Sequence, residues 1–176
     1  NPEQSEWQFG LGLTLDNLQR YEEAIAAYRE VLRLSGEDVD TLLHLGVDQL
    51  RLGQANDAIP TLRRVAELDP QCEAAFCHRI NAYAQLGEHE NAELMFYLAR
   101  QLSDECPLCY DHIAQSLAMR AKLDRARWCW QRVAETEPRY PGVQINLARV
   151  HWYRREPGKA REHYLQQIRE DPGDIE

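Results

Sequence analysis

A step of 34 residues runs the length of the chain, and few architectures are compatible with it. Alanine returns at Ala24, Ala58, Ala92, Ala126 and Ala160. Four residues after each alanine stands a large apolar or aromatic side chain: Tyr28, Leu62, Phe96, Trp130 and Tyr164. Twelve residues after it, three of the five registers carry proline, at Pro70, Pro138 and Pro172. Residues four apart share one face of a helix. Each register therefore presents a small residue for close approach beside a large one that fills space. A fixed period of this size is the signature of a stacked array whose units bury their apolar faces against neighbours.

The register 39–72 is the most regular, with Leu42, Leu45, Gly46, Gly53, Ala58, Leu62, Ala66 and Pro70. On these residues the chain resembles the tetratricopeptide repeat family, a helix–turn–helix unit. The resemblance extends over registers 5–38, 39–72, 73–106, 107–140 and 141–174, and implies one array over 1–176. The implied fold is all-α: a right-handed superhelical α-solenoid of ten helices, each about 12 to 15 residues long. Leu11-Gly12 is the Leu-Gly pair of the family motif, and Gly12 is expected to let two helices approach closely. Register 73–106 puts Arg79-Ile80 in that place, which should open the angle of its helix pair. Gln8 stands where the family favours Trp, with Trp7 one residue away, so the first helix is expected to be shifted or frayed at its start. Gly53 should end one helix, Asn56 or Asp57 should cap the next, and Pro60 should lie in its first turn. Pro107 reads as a helix start, and Pro157-Gly158 as a break between helices.

The net charge of -9 argues against nucleic acid, whose phosphates require clustered Lys and Arg, and against anionic lipid. No run of 18 apolar residues exists, so nothing in the sequence reads as a membrane span. The chain opens on Asn1 and reads as part of a longer protein. The five cysteines are an odd number without a disulfide-scaffold pattern, which mildly favours a reducing compartment such as the cytoplasm. The motifs of serine hydrolases, zinc proteases and phosphate-binding loops are missing, so no enzyme and no cofactor is expected.

The reading of function is a protein-interaction scaffold that holds a partner's peptide or helix in a concave groove. The family resemblance implies which positions face that groove. They include Phe9, Leu13, Leu43, Val47 and Leu50 in the first two registers, an apolar strip edged by Glu6, Asp16 and Asp40. Farther on they include Asn81, Gln115 and Arg149, before Trp152 and Tyr153. His44, His78 and His112 fall at the sixth place of successive first helices, continued by Asn146. They read either as a ladder of donors and acceptors for the partner or as local bonds between helices. The strip implies an apolar partner segment with basic flanks. The lysines of the family's clamp for acidic chaperone tails are missing at the matching positions, so no such tail is expected to bind.

Two alternatives belong to other classes. Cys72, Cys77, Cys106 and Cys109 open consecutive registers and could serve a metal- or redox-sensing module. Residues 84–102 also resemble the last repeat of type III secretion chaperones. Trp128 reads as partly exposed, whereas Trp130 is an anchor. Tyr164, Leu165 and Ile168 lie on a last helix without a successor, which predicts either further chain or self-association through the C-terminal repeat.

Overall fold

The structure, a computed structural model, describes residues 2–170. Pro172 and the end of the last register lie outside the described residues. Among the described residues ten helices follow one another: α1 Pro2–Asn17, α2 Tyr21–Ser35, α3 Val39–Arg51, α4 Ala55–Leu68, α5 Glu73–Gln85, α6 His89–Leu102, α7 Pro107–Met119, α8 Leu123–Thr136, α9 Val143–Tyr153 and α10 Pro157–Glu170. No strand occurs among the described residues. The helices fall into two compact units, Asn1–Leu102 and Ser103–Glu176. In the first, α1 packs on α2, α3 on α4 and α5 on α6, while α2 meets α3 and α4 meets α5. In the second, α7 packs on α8, α8 on α9 and α9 on α10.

In three of the pairs a narrow apolar stripe on the second helix drives this packing. On α2 it is Ala24, Tyr28 and Val31; on α4 Ala58, Leu62 and Val65; on α8 Ala126, Trp130 and Val133, all buried. The alanines of the period are closed off from solvent, with Ala24, Ala58, Ala92 and Ala126 at 0% exposure. Opposite them the first helix comes very close. A Cβ on Gly12 would lie 2.5 Å from the Tyr28 ring, and one on Gly46 would lie 2.7 Å from Leu62. Ile80 takes the equivalent place in the third register and is fully buried. Its larger side chain fills the room a glycine would leave, and the facing Phe96 stays only half-buried.

The turns inside the pairs also repeat. Gln19, Gly53, Gly87, Ala121 and Arg155, each 34 residues after the last, all adopt positive φ, between 56° and 74°. Glycine fits that left-handed turn without penalty, yet only two of the five are glycine.

Several sequence expectations need correction. α1 runs unbroken from Pro2 through Trp7 and Gln8, and Trp7 projects outward at 81% exposure instead of disturbing the helix start. Gln54, not Asn56 or Asp57, precedes α4, and it makes no side-chain cap. Pro60 is the sixth residue of α4, one turn deeper than expected. The hydrogen bond it forgoes would have gone to the carbonyl of exposed Asn56, where water can take over. A capped start does occur at α3, where Asp38 accepts the backbone N–H of Thr41 at 2.8 Å. Pro107 begins α7, and the break before Pro157 is the turn at Arg155.

Candidate functional site

In the first unit, α1, α2 and α3 enclose a cleft of about 260 Å³. Phe9 is its apolar wall, and Glu6, Asp38 and Asp40 lie on its rim. Packing fixes Phe9: its ring stands 5.9 Å from Tyr28 and edge-on to His44 at 5.8 Å. Tyr28, fully buried over Gly12, stacks on His44 at 5.6 Å. His44 is thus an aromatic spacer between α1, α2 and α3. Glu6 and Asp40 are exposed, and neither pairs with a basic side chain among the described residues.

The apolar strip is narrower than the sequence implied. Leu13, Leu43 and Val47 are half-buried, and Leu43 also packs against two core clusters. Leu50 is a correction: at 5% exposure it belongs to the interior, beside Ala58, Leu62 and Ala82. Asp16 is a second correction, because Arg51 of α3 already pairs with it. Behind this pair lies an acid the sequence reading missed. Asp48 is completely buried, 3.4 Å from Arg51, and one of its carboxylate oxygens finds no hydrogen-bond partner among the described residues. Burial first, then the charge of Asp16, push its carboxyl up to about 7 against the pull of Arg51. The same burial, with Asp48 and Asp16 nearby, drives the Tyr28 phenol well above its ordinary range. The signal in the sequence was an Asp three residues before Arg51 on the apolar side of α3.

In the second unit, α7, α8 and α9 surround a larger cavity of about 690 Å³. Gln115, Asn146 and Arg149, three of the expected groove residues, come together on its wall with Met119, Trp130 and Tyr153. Trp130 is buried and donates its indole N–H to Asp111 at 2.7 Å; the other oxygen of Asp111 accepts from Gln115 at 2.8 Å. Burial raises the carboxyl of Asp111, while these hydrogen bonds and His112 work in the opposite direction. His112 is a further correction, since at 8% exposure it lies inside the unit and not on an open row. Arg149 is exposed, and no acid among the described residues pairs with it.

A second cluster joins α9 to α10. His151 is buried, meets Glu156 at 2.6 Å and stacks on His163, whose Nδ1 lies 2.8 Å from the Gln144 amide oxygen. The contact with His151 is the main reason the Glu156 carboxyl is held down to about 2. Burial, then the neighbouring His151, lower the pKa of His163.

The remaining expected residues stand apart from both cavities. His78 is half-buried on α5, and Asn81 accepts a 3.2 Å hydrogen bond from Gln85. Cys72 and Cys77 fall in the first unit, Cys106 and Cys109 in the second. Cys77 and Cys109 are buried, and the sulfur of Cys106 accepts the backbone N–H of Cys109 at 3.4 Å. Trp128 is 49% exposed with its edge toward Tyr110, and Trp152 and Tyr153 are exposed at the end of α9.

Helix pairs of this length, closed by small residues and turned at a fixed 34-residue interval, recur in known proteins. Residues 18–76 match the family model described as tetratricopeptide repeat. Among solved structures, TTC0263, a thermophilic repeat protein of Thermus thermophilus, superimposes with a TM-score of 0.87 at 19% identity, covering 97% of this chain and 93% of that one. The chain has the tetratricopeptide repeat fold. A tetratricopeptide repeat protein from Parabacteroides merdae gives a TM-score of 0.80 at 18% identity, over 97% of this chain and 67% of that one. MamA from Desulfovibrio magneticus, residues 41 to the end, gives 0.73 at 14% identity over 98% of both chains. No curated protein sequence matches significantly. These tetratricopeptide repeats indicate no enzymatic family. No helix among the described residues is long and apolar enough to cross a membrane.

Proposed function

We propose that this five-register array is a protein-interaction scaffold without catalytic function, and that its first two repeats hold an apolar partner segment flanked by basic residues. The observation that carries the reading is the distribution of charge. Residues 1–102 contain 8 basic and 17 acidic side chains, the whole of the net -9, whereas residues 103–176 contain 12 of each. Within that acidic unit the cleft at Phe9 offers an apolar wall, with Glu6 and Asp40 on its rim and no basic side chain paired to either among the described residues. Rim charges of this kind set on-rate and salt dependence, while apolar contact supplies most of the affinity. A second copy of the chain is the proposed cover for the apolar side of α10, where Tyr164, Leu165 and Ile168 are each about 40% exposed.

The test is an array of acetylated peptides with one apolar core and either lysine or glutamate flanks. Lysine-flanked peptides are expected to bind, and to weaken as salt rises. Replacing two of the three rim acids, Glu6→Lys with Asp40→Lys, should slow association roughly tenfold and leave the helical circular dichroism intact. Equal binding of glutamate-flanked peptides would sink the proposal. Leu43→Glu is a poor probe, because Leu43 also packs into the core.

A further inference from the structure

We infer that the cavity between α7, α8 and α9 is a binding site for a small apolar monocarboxylic acid, such as an aryl-alkyl or medium-chain acid, with its carboxylate on Arg149. The cavity's volume of about 690 Å³ falls within the range of small-ligand sites. Its floor is the buried Trp130, locked by the hydrogen bond to Asp111, and its wall is built from Ala118, Leu123 and Val150. Met119 and Tyr153, 62% and 71% exposed, stand at the mouth. Such a lining accepts an alkyl chain or a phenyl ring.

Among the described residues one charged side chain lines this cavity, and it is a cation. Arg149 and Asn146 are one turn apart on α9, so they share a face, and neither side chain has a partner among the described residues. A guanidinium with a neighbouring carboxamide fits a carboxylate, the guanidinium giving two parallel charge-assisted hydrogen bonds and the amide one more. No carboxylate among the described residues lines the cavity to repel it. The balanced charge of residues 103–176 also spares an anion the repulsion it would meet from the acidic unit.

The shortage of polar groups selects a free acid over a peptide. Each peptide residue brings an N–H and a carbonyl that must be satisfied when buried. The cavity answers with Gln115, Asn146, Arg149 and the Tyr153 hydroxyl, and Gln115 already gives its amide to Asp111. A free acid asks for one anion site and apolar surface elsewhere.

Isothermal titration of the full chain with 4-phenylbutyrate and with octanoate tests the site. Saturable binding with a Kd below about 1 mM is expected for ligands of this size. The uncharged 4-phenylbutyramide should bind at least roughly tenfold more weakly, and Arg149→Gln should cost the acids a similar factor. Ala118→Trp should fill the cavity and abolish binding. Arg149 is a surface residue, so that variant reports even if the larger one misfolds. Failure to find saturable binding with a Kd below about 1 mM for either acid, titrated at two temperatures, would overturn the inference, as would unchanged affinity in Arg149→Gln or equal binding of the amide. Tighter binding of N-acetyl-glycyl-phenylalaninamide, a peptide without a free carboxylate, than of the free acids would overturn it in favour of a peptide.

Discussion

Ala121 and Arg155 turn with φ of 56° and 61°, and Gln19 with 58°, in a conformation that costs an L-residue roughly 1–2 kcal/mol. Gly53 and Gly87 occupy the same place at 71° and 74° without that cost. The repeat geometry imposes the turn whatever residue stands there, because the two helices of each pair must fold back on their alanine stripe. Ala121→Gly should therefore raise stability by up to about 1 kcal/mol, relief of the turn outweighing the extra freedom of the unfolded chain. Gly53→Ala should cost about 1 kcal/mol or more, since no steric obstacle but the backbone itself opposes it. Urea unfolding checks both; a stabilised Gly53→Ala would contradict the shared turn.

Two helices respond oppositely to pH. On α3, Asp48 titrates near 7 in the folded chain and near an ordinary carboxylate value of about 4 in the unfolded one. Between these values the folded state holds the extra proton, so acidification from pH 8 to 5 should stabilise the α1–α3 junction. The groups facing it are Asp16 on α1, Tyr28 on α2 and Arg51 on α3. On α10, His163 has a lowered pKa, so there the unfolded state binds the extra proton. Stability at the α9–α10 contact is full above about 6.5 and falls as pH drops below it. Residue-resolved hydrogen exchange, corrected for intrinsic rates, should show α3 gaining protection and α10 losing it over the same range. Asp48→Asn should flatten the α3 response alone; a slope on α3 that survives it would rule out this origin.

Across the molecule, charge and apolar exposure are unevenly spread. All of the net -9 lies on residues 1–102, while Tyr164, Leu165 and Ile168 are exposed on α10. Ala160 is the one buried residue of that helix among those described, so α10 leaves apolar surface at Tyr164, Leu165 and Ile168. A second copy covering it would bury that surface. Sedimentation should show a dimer that dissociates when Leu165→Glu and Ile168→Glu are combined. A monomer at high micromolar concentration in the parent chain would exclude this role for α10.

The 34-residue recurrence of a small residue and a large one four places later marked the second helix of each register on its own, while the first helix of each pair was what the resemblance to tetratricopeptide repeats implied. The reason is local: on a helix that spacing makes a stripe, and a stripe must be buried. Ala92, Ala126 and Trp130 were legible for that reason, whereas the close approach at Gly12 was implied by the Leu-Gly pair of the family motif. Gln115, Asn146 and Arg149 were readable as residues of one face, but not as the walls of a cavity. Only the packing of α7, α8 and α9 decided that. Packing likewise turned Leu50 and His112 inward, engaged Asp16 with Arg51, and buried Asp48 and Asp111. Periodicity assigns a residue to a face of its own helix. Whether that face meets solvent, a cavity or another helix depends on neighbours from other parts of the chain, and so does the protonation of the acids buried there.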